Sequence, residues 1–370
     1  MVSLTAIGRL HTSGARAVEP FHIDGALFVA VPQLAIDIPG QTPDINGGDS
    51  DTSLLVFRAD NGGFAEHQRL DAPGGEDAEF FRIGGRNFLA TASIRTGRGP
   101  YEFGTESLIF EWRAGRFEPF QAIPTFAAKQ WKAFTAFGRH FLALAQGVSR
   151  PGIDGANKSS VIYEWTGSGF EEFQQISSEW GYNWHPFELD GQVYLAYADH
   201  VEPSVLYRWN GNRFVARQVL LERAGRAFAH FEVEDKTYLV TACIDGSSAV
   251  MRWEDGFFEP FQQLPDAGAR ELAVFATIHG LYLARVNFIT GSPHQPQVWL
   301  NSQLYRWENE KFVVVVPEFP TTGATDVVVI PGPGHTRLAV SNSLSPQVRF
   351  ASQTVIYTFD DSFDGEEPGL

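Results

Sequence analysis

Residues Ser107 to Ile123, SLIFEWRAGRFEPFQAI, alternate apolar and polar positions on both sides of a short polar turn. That is the pattern of a β-hairpin with one face buried. Close relatives recur as SVIYEWTGSGFEEFQQI from Ser160, SVLYRWNGNRFVARQVL from Ser204 and AVMRWEDGFFEPFQQL from Ala249, each with Gly, Asn or Asp at the turn. A second recurring hairpin precedes each of these, with aromatic residues seven positions apart. Its copies pair Phe21 with Phe28, Phe81 with Phe88, Phe134 with Phe141, Phe187 with Tyr194, Phe231 with Tyr238 and Phe275 with Tyr282. A weaker seventh copy, VVVIPGPGHTRLAVS, begins near Val327.

Each unit therefore holds four strands, and a hairpin pair that cannot bury its own faces must stack against copies of itself. The seventh unit ends at QTVIYTFDD with only three strands, while LTAIGRLHTSGAR from Leu4 has the texture of a missing fourth. Lending the N-terminal strand to the last unit would close the array and leave no open ring edge. The expectation is an all-β, seven-bladed β-propeller with four antiparallel strands per blade. It forms one domain over residues 1–370, with blades starting near residues 17, 78, 131, 184, 228, 272 and 326 and residues 4–10 completing the seventh.

The repeats resemble the EPTP repeat, also called the EAR or epilepsy-associated (epitempin) repeat, whose pattern joins F-x-I-x-G-x-x-Y-L-A to an aliphatic-Tyr-x-Trp strand and F-x-x-F-Q. Blades two to five match closely, blade six fits in QLYRWENEKF, blade one is looser around Phe57 and Arg58, and blade seven is degenerate. The resemblance implies a seven-bladed propeller used as a receptor- or ligand-binding module, usually outside the cell. Trp112, Trp165, Trp209, Trp253 and Trp307 hold one equivalent position in five units, so they read as packing between blades.

Composition narrows the partners. A formal charge of −16 disfavours nucleic acid and anionic membrane, which both call for clustered Lys and Arg. Cys243 is the only cysteine and reads as a buried, inert thiol in TYLVTAC. The N-terminal stretch lacks the apolar core of a signal peptide and no apolar run could span a bilayer, so the expected setting is cytoplasmic.

Blades differ in the connections between second and third strands and in the crossings from outer to inner strand. Strand alternation puts both on one rim, at the mouth of the central channel, where binding residues on a rigid scaffold are expected. The crossings carry Trp131 and Lys132, Trp184 and His185, and Phe228 and His230 at matching places, with Glu19 and Glu79 level with Lys132 and His185 and with Trp180 and Tyr182 just upstream. Two readings follow. In one, the rim binds a small molecule or a protein partner through Trp131, Trp180, Tyr182, Trp184, Phe228, Trp299 and Arg95. In the other, the chain is a small-molecule enzyme, a lyase, cyclase or transferase-like catalyst, with Lys132, His185, His230, Glu79 and Tyr101 as acid and base groups. A bland alternative has the tryptophans plug the channel while Lys and His pair with Glu19 and Glu79.

No cofactor is implied. The blade-one connection carries Asp44, Asn46, Asp49 and Asp51, an oxygen-rich set suited to calcium, yet without the ligand order of a calcium loop. GxSxG, HExxH and CxxC motifs are absent.

Overall fold

The structure is a computed structural model, which describes residues 2–60, 62–150, 153, 159–330 and 335–362. Most of the blade-three connection at 151–158 and the blade-seven turn at 331–334 lie outside the described residues.

Among the described residues, seven four-stranded antiparallel sheets form the body of the protein, with two short two-stranded ones beside them. Their inner strands are Glu19–Ile23, Gly75–Ile83, Gln130–Ala136, Gly181–Leu189, Gly225–Val233, Ala269–Thr277 and Ala324–Ile330. Each inner strand contacts the next, and the last contacts the first, so the inner strands ring a central channel. The seven-bladed propeller read from the repeats is the observed fold. The chain's first strand, Ser3–Ser13, pairs with Ala351–Asp360 and completes blade seven, with Leu4 opposite Phe359 and Arg9 opposite Val355. No open edge remains where the ring closes.

Two repeated contacts hold neighbouring blades together. The third-strand tryptophan of one blade packs edge-on against the second-strand aromatic of the blade before it. Trp112 meets Phe28 at 5.3 Å, Trp253 meets Tyr194 at 5.5 Å and Trp307 meets Tyr238 at 4.9 Å. In blade seven Phe359 takes this part, 4.8 Å from Tyr282. In blade one the register sets Arg58 opposite Phe28, as Glu111 stands opposite Phe88, so the tryptophan place falls to Ala59 rather than to Phe57 or Arg58.

The second contact explains the glutamine of F-x-x-F-Q. Gln121 accepts the backbone N–H of Phe170 and donates to the carbonyl of the same residue, at 2.9 and 2.8 Å. Gln68 clamps Phe117 in this way, Gln174 clamps Phe214, Gln218 clamps Phe258 and Gln262 clamps Phe312. One side chain thus satisfies both polar groups of a residue on the facing outer strand, where a lone N–H or C=O would be costly.

Cys243 ends its strand, Lys236–Cys243, and is only partly buried, so the buried thiol read from its apolar neighbours is not what forms. No helix among the described residues is long and apolar enough to cross a membrane.

The clamp is testable. Gln174→Ala is expected to lower the unfolding free energy by about 1–3 kcal/mol, since it removes two hydrogen bonds and strands a buried N–H. Urea denaturation of the purified protein measures this, and a change within error would mean that the clamp adds nothing.

Candidate functional site

The site begins with an irregularity repeated around the ring. As five of the seven inner strands start, the register slips by one residue, between Gly75 and Asp77, Gly181 and Asn183, Gly225 and Ala227, Ala269 and Glu271, and Ala324 and Asp326. The skipped residues are Glu76, Tyr182, Arg226, Arg270 and Thr325, and a bulge of this kind re-aims the side chain it releases. Lys129 and Arg16 hold the same place in blades three and one, donating to Ala145 and Pro32. Glycine precedes the bulge where space demands it: a Cβ at Gly181 would collide with Tyr197 Oη, and one at Gly225 with Ser204 Oγ.

These released side chains form the neck of the channel. Arg16, Glu76, Lys129, Tyr182 and Arg270 line both the cavity at the mouth, about 460 Å³, and the cavity deeper in the channel, about 440 Å³. Glu76 sits between Arg16 Nε and Lys129 Nζ, each 3.4 Å from Oε1. Burial would raise the Glu76 carboxyl, but Arg16, Lys129 and Arg270 outweigh it and hold the group below its ordinary value. Tyr182 has Arg226 at 3.9 Å, Arg270 at 5.0 Å and Lys129 at 5.3 Å from its ring centre. Burial pushes its phenol up and those cations pull it down, with a net shift below the ordinary value.

Above the neck, Trp180 stacks on Tyr182 and His200 meets both rings edge-on. Asp199 positions this segment by accepting from the Ser178 hydroxyl and from the backbone N–H groups of Glu179 and Trp180. His200 Nδ1 lies 3.0 Å from Arg226 Nη1, and burial followed by Arg226 lowers the imidazole to about 4.

Below the neck the channel turns acidic. Carboxylates stitch several inner strands to the next: Asp77 accepts the Trp131 N–H, Asp326 that of Val18, Glu19 that of Phe80 and Glu79 that of Ala133. Burial first and neighbouring carboxylates second raise Asp77 and Glu271 to about 8, and burial takes Asp326 to about 6. Lys132 pairs with Glu79 at 3.0 Å while keeping a third of its side chain against channel water. Burial lowers its ammonium pKa, but Glu79 and Glu19 prevail and raise it. His185 Nε2 and His230 Nδ1 share a hydrogen bond of 2.9 Å, and burial drops His185 to about 3.

The sequence profile of the EPTP domain matches residues 5–48, 63–113, 116–166, 169–210 and 213–254, more than half of the chain. The chain belongs to the EPTP family. Curated relatives include the human thrombospondin-type laminin G domain and EAR repeat-containing protein, 34% identical over 140 residues, and its mouse counterpart, 33% identical over 149 residues. The matches cover 37% and 39% of this chain but only 20% and 21% of those proteins. Among solved structures, Sqt1 of Saccharomyces cerevisiae superposes with a TM-score of 0.58 over 96% of this chain and 99% of its own, at 11% identity, which shows the fold alone.

In this EPTP propeller the residues singled out from the repeat alignment separate into three places. Trp180, Tyr182 and Arg95 line the mouth cavity. Lys132, His185, His230, Glu79 and Glu19 share the deeper cavity rather than the mouth. Trp131 does neither, at 0% exposure filling the wall between blades, while Trp184, at 1% exposure, and Phe228 border the deeper cavity from within that wall. Trp131 Nε1 donates to the Thr91 carbonyl. A ligand cannot reach these indoles, because the alternation that aims Lys132 and His185 at the channel sends their neighbours into the sheet interface.

Arg95 is also structural. It donates to Ser50 Oγ and to the carbonyls of Asn46 and Gly47, and lies 3.8 Å over the Tyr101 ring. Tyr101 in turn donates to Gly48, so the pair pins the blade-one connection and Tyr101 stays outside the deep channel. Trp299 stands exposed on the rim, outside the mouth cavity. In the oxygen-rich connection Asp44 accepts the Asn46 N–H, Asp51 that of Gly97, and Asp49 pairs with Arg98. No group of three or more His, Cys, Asp or Glu among the described residues is placed to hold a metal ion.

Of the neck residues only Tyr182 is among the candidates read from the sequence; the cations Lys129, Arg226 and Arg270 stand at the equivalent place, two residues ahead of Trp131, Phe228 and Leu272. The signal was present as a column of ionisable residues, but a bulge leaves no mark in an alternation pattern.

Asp77 offers a test of the throat. Its carboxyl is held near 8 instead of 3.8. Between those values the folded protein keeps a proton that the unfolded chain has lost, so stability falls as pH rises through the window. Asp77→Asn cannot ionise and still accepts the Trp131 N–H. Its stability relative to wild type is expected to grow by at least about 1 kcal/mol between about pH 5 and pH 9. Urea unfolding at both pH values checks this, and a constant difference would mean that Asp77 titrates as an ordinary carboxylate.

Proposed function

We propose that this EPTP propeller acts as one binding domain that holds a small-molecule ligand or a protein partner at the rim around the channel mouth. The observation that carries the reading is the mouth cavity of about 460 Å³. Residues from six blades line it, among them Leu34, Arg95, Val148, Trp180, Arg226 and Phe288. Its upper walls come from the connections and crossings in which the blades differ, on a scaffold whose shared residues are spent on packing. The size is that of an ordinary small-molecule site. Trp180 adds a large aromatic surface to its lining. The relatives' EAR repeats support a binding role over a catalytic one. The acidic overall charge speaks against nucleic acid and anionic membrane as partners, and a cytoplasmic setting belongs to the reading.

The enzyme reading finds support in His185, His230, Lys132 and Glu79 meeting in one cavity. The shifts run against it: burial keeps His185 neutral far below pH 7 and the carboxylates keep Lys132 charged. Acid and base catalysts work best with pKa values near the working pH.

The test is a thermal-shift screen of small organic molecules against three proteins. Compounds that stabilise wild type are expected to bind Trp180→Ala about tenfold more weakly, the loss of one good aromatic contact. They should bind Ile278→Ser unchanged, because Ile278, 95% exposed, lies in the turn at the far end of blade six. Compounds that ignore Trp180→Ala but lose affinity for Ile278→Ser would move binding to the opposite face and overturn the reading.

A further inference from the structure

The neck carries positive charge that the protein does not neutralise, although the chain as a whole is acidic at −16. Four cations, Arg16, Lys129, Arg226 and Arg270, stand there around Glu76, with Asp245 farther out on the mouth wall acting on Arg226 at a distance. Glu76 serves Arg16 and Lys129. Arg226 and Arg270 are 4% and 7% exposed, and neither has a carboxylate within ion-pairing range among the described residues. Arg226 spends one nitrogen on His200 and the Gly225 carbonyl. Arg270 makes no hydrogen bond among the described residues and rests on the face of Tyr182. Arg16 Nε is buried beside Glu76 without a hydrogen bond.

Burying a guanidinium without a partner costs several kcal/mol, so such groups are retained where something else completes them. The acidic throat lies just below, but its nearest carboxyls, Glu271 and Asp326, feel Arg270 only at a distance, form no ion pair with it and accept backbone N–H groups instead. Their raised pKa values also leave them partly protonated near neutrality, which weakens any compensation from that side. The mouth side, in contrast, is open space. Guanidinium groups present fork-shaped donors matched to the two oxygens of a carboxylate or phosphate, and Tyr182 fixes the planes of both arginines by stacking.

We propose that the neck is an oxyanion site: Arg226, Arg270 and Lys129 take the carboxylate or phosphate groups of a small organic anion bearing at least two negative charges. The inference rests on the rim-binding reading and names its ligand class. Arg226 and Arg270 grip the charged end at the floor of the mouth cavity, and Trp180 and His200 flank the remainder. A cavity of about 460 Å³, narrowed at its floor, suits a small molecule rather than the side of a folded partner.

Calorimetry with citrate, inorganic pyrophosphate and a penta-glutamate peptide tests this on the full chain, together with unfolding measurements on Arg270→Gln, Arg226→Gln and Arg270→Lys. Citrate or pyrophosphate is expected to bind wild type and raise its melting temperature. Each Gln variant should weaken that binding at least about tenfold, as loss of a charge-assisted pair implies, while Arg270→Lys, which keeps the charge but not the fork, falls between wild type and Arg270→Gln. The unliganded Gln variants should be as stable as wild type or more so, because an unpaired buried charge has been removed. A Gln variant that is strongly destabilised or fails to fold would show that the guanidiniums are structural counter-ions of the throat, and would overturn the proposal. So would wild type that ignores both small anions, or binding of penta-glutamate alone. Compounds that depend on Trp180 but not on Arg226 or Arg270 would leave rim binding standing and sink the oxyanion site, which separates the two failures.

Discussion

A four-stranded sheet that is apolar on both faces is stable only between two others, and this condition governs the whole molecule. Most blades meet it through the same contacts, a tryptophan on the preceding blade's aromatic or a glutamine clamped on the following blade's phenylalanine. Stacking alone would leave two raw ends. The first strand of the chain removes them by pairing with Ala351–Asp360, so that Leu10 is buried against the sheets of blades one and seven.

A closed ring of packed sheets places its inner strands side by side and leaves them little freedom. That rigidity gives meaning to the bulge at the start of five of the inner strands. One extra residue per strand releases a side chain toward the axis, and the released residues are mainly charged. Deeper carboxylates then bond across to the next strand. The result is a channel with positive charge at its neck and raised-pKa carboxyls below, a separation of charge imposed by backbone geometry.

The contrast between neck and throat bears on function. In the throat the ionisable groups are satisfied by one another or by backbone N–H groups, as Lys132 with Glu79 and His185 with His230 show. In the neck Arg226 and Arg270 face an accessible cavity with donor capacity to spare. Groups already satisfied hold a structure together, whereas groups with spare capacity beside open space suit a ligand. The mouth therefore fits binding better than the throat fits catalysis.

Alternation of apolar and polar residues was enough to identify the strands, to count the blades and to find the N-terminal strand that completes the last one. Each depends on local periodicity or on a recurring motif, which a single chain displays openly. The same alternation ranked Trp131 and Trp184 beside Lys132 and His185, because adjacent residues share a column in an alignment. Only the folded ring decided which of each pair faces the axis. Strand pairing set that choice, sent the tryptophans into the walls and, through a one-residue slip in three blades, brought Tyr182, Arg226 and Arg270 to one neck with Lys129. Such a slip is a matter of pairing between strands, so it has no existence until the strands have met.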